Sequence, residues 1–181
     1  EWLAAQGVTH ETLSTNTGGA GGFHHGLEWA VREGADLVWL MDDDGMPAPD
    51  CLDLLLERVE RDSLEFCGPA VLAEQDPSRL CFPIRLPGGT RVVHEMQTVE
   101  RAARDGLIDD VVIPFNGVLV TRDLVERIGL PREEFFIWGD DHEYRLRAEE
   151  AGARVATVVD ATVRHPSVGN LGTPMMFGRT T

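Results

Sequence analysis

Three consecutive aspartates, Asp42, Asp43 and Asp44, directly follow the apolar run 37–41. An uninterrupted apolar run of this length is typical of a strand that is covered on both faces, as in a parallel sheet. The pattern therefore predicts a layered α/β fold, and it places three carboxylates at the carboxyl end of one strand. This is the edge at which open α/β sheets bind their ligands.

The aspartate triplet is a candidate cation site. Neighbouring carboxylates repel one another, and a hard divalent cation with oxygen ligands removes that conflict. A solvated acidic turn before a helix is the alternative, and the triplet alone leaves both interpretations open. An EF-hand is excluded, because placing Gly45 at position six would put Leu40 and Cys51 at positions one and twelve.

Helix and strand patterns alternate along the rest of the chain, which favours an α/β domain. Apolar spacing from Phe23 to Val31 predicts a helix, and the preceding residues 16–22 predict a flexible glycine-rich loop. Prolines and glycines predict an irregular stretch over 73–90. The other predicted strands are 66–72, 91–96, 118–120 and 155–159, and the other predicted helices are 51–59, 123–128 and 140–151.

Composition narrows the function classes. The 181 residues carry a net charge of -15, which argues against a nucleic-acid partner. A nucleotide ligand stays compatible with this charge, because a divalent cation can bridge carboxylates and phosphates. Three cysteines without a CxxC pair argue against a disulfide framework or a zinc site and fit a reducing compartment.

A second acidic group, Asp140 and Asp141, follows the aromatic run 135–138. Large apolar neighbours can desolvate a carboxylate and raise its basicity, as a general base requires. Acidic capping of a helix start is the alternative. On pattern alone Trp138 is a core residue. His165 follows the last predicted strand, and a single histidine is more often structural than a ligand.

The glycine stretch before the first long helix is weaker evidence. Residues 19–24 break the G-x-G-x-x-G pattern at its last position. A glycine-rich turn into a helix still suits a phosphate or sugar that approaches the backbone, and a plain tight connection is the alternative.

Taken in order, these motifs resemble those of glycosyltransferase family 2. The motifs are 16–23, 39–44 with 49–50, 115–119, and 135–143 with Arg147, Gly152 and His165. Within the family, the chain is most similar to the bacterial galactofuranosyltransferases and rhamnosyltransferases of cell-wall and O-antigen assembly. The resemblance implies the GT-A fold, a Rossmann-like mixed sheet flanked by helices.

The resemblance also implies a role for each motif residue. Asp141 matches the catalytic base. The metal ligands, for Mn²⁺ or Mg²⁺, would be Asp42, Asp44 and His165. The donor-binding residues would be Asn16, Gly19, Gly21, Gly22 and Asp43. The acceptor-binding residues would be Trp138, Asp140 and Asn116.

The implied reaction is transfer of a galactofuranose- or rhamnose-type sugar, with inversion, from a UDP- or dTDP-linked donor to a hydroxyl of a glycan or lipid-linked glycan. The implied location is cytoplasmic, at the inner face of the plasma membrane. Residues 1–181 would form one GT-A domain, with the donor and metal part at about 1–72 and the acceptor and base part at about 111–166. Family domains extend further at both ends, so the domain is expected to be incomplete and to contact membrane through regions outside this chain.

Three other function classes use similar residues. A nucleotidyltransferase that makes sugar nucleotides also uses paired acids and a metal, but it is expected to show a basic glycine-rich signature. A glycoside hydrolase would use two carboxylates without a metal. A non-catalytic glycan-binding domain could keep the same fold.

Overall fold

Eight strands form one mixed sheet in the computed structural model, which describes residues 2–112 and 115–166. The strands are β1 (Leu37–Leu40), β2 (Met46–Pro47), β3 (Phe66–Ala73), β4 (Asp76–Arg85), β5 (Val92–Glu95), β6 (Leu107–Asp109), β7 (Val118–Thr121) and β8 (Val155–His165). The helices are α1 (Trp2–Ala5), α2 (Gly18–Arg32), α3 (Cys51–Asp62), α4 (Met96–Ala102), α5 (Arg122–Ile128) and α6 (Asp140–Glu150), with a 3₁₀ turn at Glu133–Phe135.

The sheet is built around one parallel pair, β3 and β8. On one side of β3 the order continues through β7 to β1, and β4 and β5 follow from the far end of β3. The short strands β2 and β6 pair with β8 on its other side. Every pairing except that of β3 with β8 is antiparallel.

Helices cover both faces of the sheet, as predicted. Strand alternation sends Leu119 into one core and its neighbours Val118 and Val120 into the other. Helices α3 and α4 contribute to the first core, and α2, α5 and α6 contribute to the second. The α/β class with a mixed sheet flanked by helices is thus confirmed. Among the described helices, none combines the length and the apolar character needed to cross a membrane.

Strand β1 differs from its prediction in one respect. It pairs antiparallel with β7 at the end of the strand order, not with a parallel neighbour. Its side chains still pack on both sides, with Leu37 and Trp39 against one core and Val38 and Leu40 in or against the other. The apolar run therefore reflects the burial of both faces of the strand and does not predict the direction of the neighbouring strand.

The glycine stretch was predicted as a flexible loop, and this is wrong. Helix α2 begins at Gly18, so the glycines form its first turn. A Cβ at Gly21 would stand 2.3 Å from the Thr17 side chain, and a Cβ at Gly18 would stand 2.0 Å from the Phe136 carbonyl oxygen. Close packing at Gly18 and Gly21, not flexibility, explains why these two positions lack a side chain.

The irregular stretch predicted over 73–90 is also wrong, because it contains strand β4. A hairpin partner, β3, supplies backbone hydrogen bonds that outweigh the local proline signal. Pro83 falls between Arg79 and Ile84, where the register between β4 and β5 shifts. Irregular pairing of this kind tolerates a residue that has no backbone N–H.

Candidate functional site

A cavity of about 540 Å³ lies where the two predicted acidic groups meet. Asp42 and Asp44 line it from the loop after β1, and Asp140 and Asp141 line it from the start of α6. His165, at the end of β8, completes the charged lining. No arginine or lysine is among the described residues of this lining, so an anionic ligand would need a cation there.

The predicted metal ligands form one compact group. Ligand atoms of Asp42, Asp44 and His165 all lie within 4.8 Å of one another. The Nε2 atom of His165 is 2.8 Å from a carboxylate oxygen of Asp44. Both aspartates are exposed, whereas His165 is only 6% exposed.

Strand pairing explains why residues so far apart in sequence meet. Strand β2 turns the chain back after the aspartates and pairs with the end of β8, with Met46 opposite Arg164. Asp44 therefore comes beside His165. The sequence prediction placed His165 beyond the last strand, and this is wrong because β8 extends to it through pairing with Ala73.

The orientation of His165 suits a metal ligand. Its Nδ1 lies 2.8 Å from the carbonyl oxygen of Pro166, to which Nδ1–H donates. In the neutral ring this leaves Nε2 as an acceptor that faces the Asp44 carboxylate, also an acceptor. Two acceptors at 2.8 Å require a proton or a metal cation between them. Two carboxylates and one imidazole are a donor set that fits Mn²⁺ or Mg²⁺.

Asn116 lines the same cavity and has a buried side-chain oxygen without a hydrogen-bond partner in the described part of the chain. The residue is 3% exposed, and its Oδ1 makes no hydrogen bond within the described residues. The adjoining turn is fixed to β1, because Gly117 N donates to Leu40 O at 2.8 Å and Trp39 Nε1 donates to Gly117 O at 2.8 Å. A buried carbonyl oxygen without a donor costs about 1–3 kcal/mol.

The two acids of α6 differ in their surroundings. Asp140 is 6% exposed, and burial together with the charges of Asp141 and Asp42 raises its pKa. Asp141 is partly exposed and accepts a hydrogen bond from His142 N at 2.7 Å. Both line the cavity, so a buried carboxyl and an accessible one stand side by side.

The acceptor wall is the aromatic run before α6, residues 135–139. Trp138 is 64% exposed, so the pattern-based prediction that it belongs to the core is wrong. Phe136 and Trp138 have positive φ angles of 60° and 68°, which non-glycine residues rarely adopt. The wall is held against α2, where Ala20 N donates to Phe136 O at 3.1 Å and Gly18 approaches Phe136 closely.

The predicted donor-binding residues do not all reach this cavity. Gly19 lines it. Asn16, Gly21, Gly22 and Asp43 lie outside its lining, and Asn16 Oδ1 instead accepts a hydrogen bond from Gly18 N at 2.9 Å. The predicted acceptor residues Trp138, Asp140 and Asn116 all line it.

Of the described aromatic residues that line the cavity, Phe82 is the one that none of the sequence motifs included. Phe82 lines the cavity, and its ring centroid lies 5.0 Å from that of His165. Neighbouring Cys81 places Sγ 3.5 Å from His165 Nδ1. Both residues lie on β4, within the stretch that proline and glycine content marked as irregular, so no local signal identified them.

Comparison with known proteins places this chain in a family of sugar transferases. Residues 5–173 match the family described as "Glycosyltransferase like family 2". The chain belongs to this family, as the motifs predicted.

Two mycobacterial relatives refine the resemblance. The chain is 36% identical to the galactofuranosyltransferase GlfT1 of Mycolicibacterium smegmatis over 166 residues, which cover 91% of this chain and 55% of that protein. It is also 36% identical to GlfT1 of Mycobacterium tuberculosis over 183 residues, covering 99% of this chain and 59% of that protein. The chain thus spans little more than half the length of these relatives, and the predicted similarity to galactofuranosyltransferases is confirmed.

A solved structure confirms the fold. The crystal structure of GalNAc-T7 with UDP, GalNAc and Mn²⁺ superposes with a TM-score of 0.59 at 12% identity, covering 85% of this chain and 31% of that one. At this identity the likeness carries the fold alone. The predicted GT-A fold is confirmed.

Proposed function

We propose that this chain carries the metal-binding and catalytic part of an inverting galactofuranosyltransferase. It transfers the sugar from UDP-galactofuranose to a hydroxyl of a cell-wall or polysaccharide glycan. One observation supports this most strongly: a single cavity joins the Asp42, Asp44 and His165 group to Asp141. The names of the 36% identical relatives favour galactofuranose over rhamnose as the sugar.

Asp42, Asp44 and His165 hold the cation, Mn²⁺ or Mg²⁺. When bound, the cation supplies electrostatic stabilisation of the charge that grows on the departing diphosphate. Without it, four carboxylates in one lining would repel the donor.

Asp141 acts as the general base. It takes the proton of the acceptor hydroxyl while the hydroxyl oxygen attacks the anomeric carbon from the face opposite the nucleotide. The bond from that carbon to the diphosphate oxygen breaks, and its electron pair leaves with UDP. Asp141 is partly exposed, so an incoming hydroxyl reaches it more readily than it reaches the buried Asp140.

The remaining residues position the two substrates. Trp138 presents an exposed ring on the acceptor side, and Asn116 lines the same cavity. Asp140 supports Asp141 or holds the acceptor. Gly19 leaves room for the donor at the start of α2.

The broader assignments belong to the same proposal. The donor and metal part lies at about 1–72 and the acceptor and base part at about 111–166 of one GT-A domain. The enzyme works in the cytoplasm at the inner face of the plasma membrane and takes a glycan or lipid-linked glycan as acceptor.

The test is nucleotide release from UDP-galactofuranose and from dTDP-rhamnose, each with Mn²⁺ and a panel of glycan acceptors. UDP release that requires the metal, together with an inverted anomeric centre by NMR, is the expected result. Pyrophosphate release would instead indicate sugar-nucleotide synthesis. Donor binding without any UDP release would indicate a glycan-binding domain that has lost catalysis.

A further inference from the structure

Four consecutive backbone carbonyls, those of residues 128–131, accept hydrogen bonds from side chains of α6 and α2. Arg147, on α6, donates to the first and the third of them, and Tyr144, on the same helix, donates to the second at 3.1 Å. The fourth, Pro131 O, accepts a hydrogen bond from His24 Nδ1–H of α2 at 2.7 Å. Segment 128–131 is thereby attached to two helices at once.

Both helices contribute to the cavity of the proposed site. Helix α6 carries Asp141 in its first turn, and α2 lines the cavity with Gly19, Ala20 and Phe23. Segment 128–131 leads through the 3₁₀ turn into the acceptor wall, and the wall ends where α6 begins. The wall therefore lies in a loop whose first residues are bonded to α6 and whose last residue continues into it.

The Arg147 side chain is fixed in the orientation that its bonds to the loop require. Its Nε donates to Glu143 Oε1 at 3.1 Å and its Nη2 donates to Glu143 Oε2 at 2.8 Å, which makes a bidentate pair on α6. Its guanidinium carbon also lies 5.1 Å from the centroid of the buried Tyr144 ring. A planar guanidinium binds a carboxylate and two carbonyl oxygens in fixed directions, whereas the ammonium group of lysine is a point charge on a flexible stem.

His24 attaches the same loop to α2. It lies four residues after Ala20, about one helical turn, and Ala20 N donates to Phe136 O of the acceptor wall at 3.1 Å. Helix α2 therefore contacts the loop at its start, through Pro131, and again in the wall. The bond from His24 needs an N–H donor at the δ position of the side chain, which asparagine also provides and leucine does not.

We propose that Arg147 and His24 are positioning residues for sugar transfer. They hold the start of the loop between α6 and α2, and so they fix where the acceptor wall stands relative to Asp141. Neither residue lines the cavity, so each acts through the wall and not on a reacting atom. This inference rests on the proposed function, because it takes Asp141 as the base and the wall as the acceptor side.

The test measures sugar transfer and donor hydrolysis in the same reaction, with UDP-galactofuranose, Mn²⁺ and methyl β-galactofuranoside as the acceptor. Hydrolysis uses water, which does not need the wall for its position. Arg147→Lys and His24→Leu should each lower the ratio of transfer to hydrolysis at least about tenfold, whereas His24→Asn should keep it within about twofold of the unaltered protein. The first two variants change different helices, so either of them decides the test if the other does not fold.

Arg122→Ala is the matched control. Arg122 donates to the carbonyls of Gly34 and Ala35 and pairs with Asp36, just before β1 and outside the cavity lining. Its loss removes bonds of the same kind, so the urea midpoint should fall by an amount similar to that of Arg147→Lys. The ratio of transfer to hydrolysis should not change in this control.

Hydrogen exchange of the acceptor wall tests the inference without any substrate. The wall amides should exchange at least about tenfold faster in Arg147→Lys and His24→Leu than in the unaltered protein and in Arg122→Ala. Unchanged exchange, a parallel fall of transfer and hydrolysis, or an equal fall of their ratio in Arg122→Ala would each overturn the inference. Absence of UDP release from the unaltered protein would instead count against the proposed function, and the exchange of the wall would still decide the role of the two residues.

Discussion

The two sides of the cavity are built by different means. The cation side takes Asp42 and Asp44 from the loop between β1 and β2 and His165 from the end of β8, and the strands that flank this loop are paired. The opposite side, the acceptor wall at 135–139, has no regular strand or helix over most of its length and contains two non-glycine residues with positive φ. It is positioned by contact with the first turn of α2.

This difference shows how each side depends on the rest of the chain. On the cation side, paired strands hold His165 and both ends of the loop that carries the aspartates. The acceptor wall depends on a glycine more than a hundred residues earlier, where a side chain would collide with Phe136. Substitutions should therefore separate metal binding from acceptor use.

The largest expected effect is on turnover. Asp141→Asn removes the proposed general base, so kcat should fall by about 10² to 10⁴. The dissociation constants of Mn²⁺ and UDP, measured by calorimetry, should stay within about twofold of those of the unaltered protein. Loss of Mn²⁺ binding in this variant would show that Asp141 belongs to the cation side.

Substitution of an aspartate on the cation side should change metal affinity. Asp44→Asn removes a proposed carboxylate ligand whose oxygen lies 2.8 Å from His165 Nε2, so the Mn²⁺ dissociation constant should rise at least about tenfold. Calorimetry with Mn²⁺ and UDP measures it. Asp43→Asn is the matched control, because this exposed neighbour is not part of the ligand group, and its Mn²⁺ affinity should not change. Equal losses of Mn²⁺ affinity in both variants would show that the net negative charge of the aspartates attracts the cation, without a defined set of ligands.

Gly18→Ala should disturb the acceptor wall and leave the cation side intact. The residue has φ of 69°, and an added Cβ would stand 2.0 Å from Phe136 O, so the free energy of unfolding should fall by at least about 1–2 kcal/mol. The acceptor KM should rise while Mn²⁺ affinity stays constant. Gly26→Ala, in the same helix with open space around its Cβ, should instead raise stability by about 0.5–1 kcal/mol. Urea unfolding of both variants makes the comparison, and similar changes in the two would contradict it.

The smallest expected effect is a pH-dependent one at Asp140. Burial and the charges of Asp141 and Asp42 raise the pKa of Asp140 above its ordinary value of 3.8. The Asp140 carboxyl group therefore binds its proton more tightly in the folded state than in the unfolded state. Its contribution to stability is therefore present below pH 3.8 and is lost as the pH rises through the raised pKa. Asp140→Asn does not titrate, so its stability relative to the unaltered protein should increase over that window. Urea unfolding between pH 4 and pH 8 tests this, and a difference that stays constant with pH would contradict it.

The cation side was largely predictable from sequence. An apolar strand followed by acids places carboxylates at the sheet edge whatever the neighbouring strands do, and the family resemblance added His165. The acids of α6 were also predictable. The sequence predicted a helix that begins at Asp140, and the structure has this helix at Asp140–Glu150.

The rest depends on contacts between distant residues. Strand β4 and Phe82 were missed because pairing with β3 overrides the local proline signal. The exposure of Trp138 was missed because an aromatic run in the sequence does not show that its backbone takes a positive φ. A cavity of about 390 Å³ is lined by β4 and the following turn, by residues 110–112 and by α6, so no single segment predicts it.

Pulsed electron paramagnetic resonance of Mn²⁺ bound with UDP tests the central claim most directly. The claim is that the cation lies between the strand ends with His165 as its nitrogen ligand. A ¹⁴N coupling from a directly bound imidazole should be present in the unaltered protein and in His10→Ala, and it should disappear in His165→Ala. Bound Mn²⁺ with no ¹⁴N coupling, or a coupling that His165→Ala leaves unchanged, would contradict the claim.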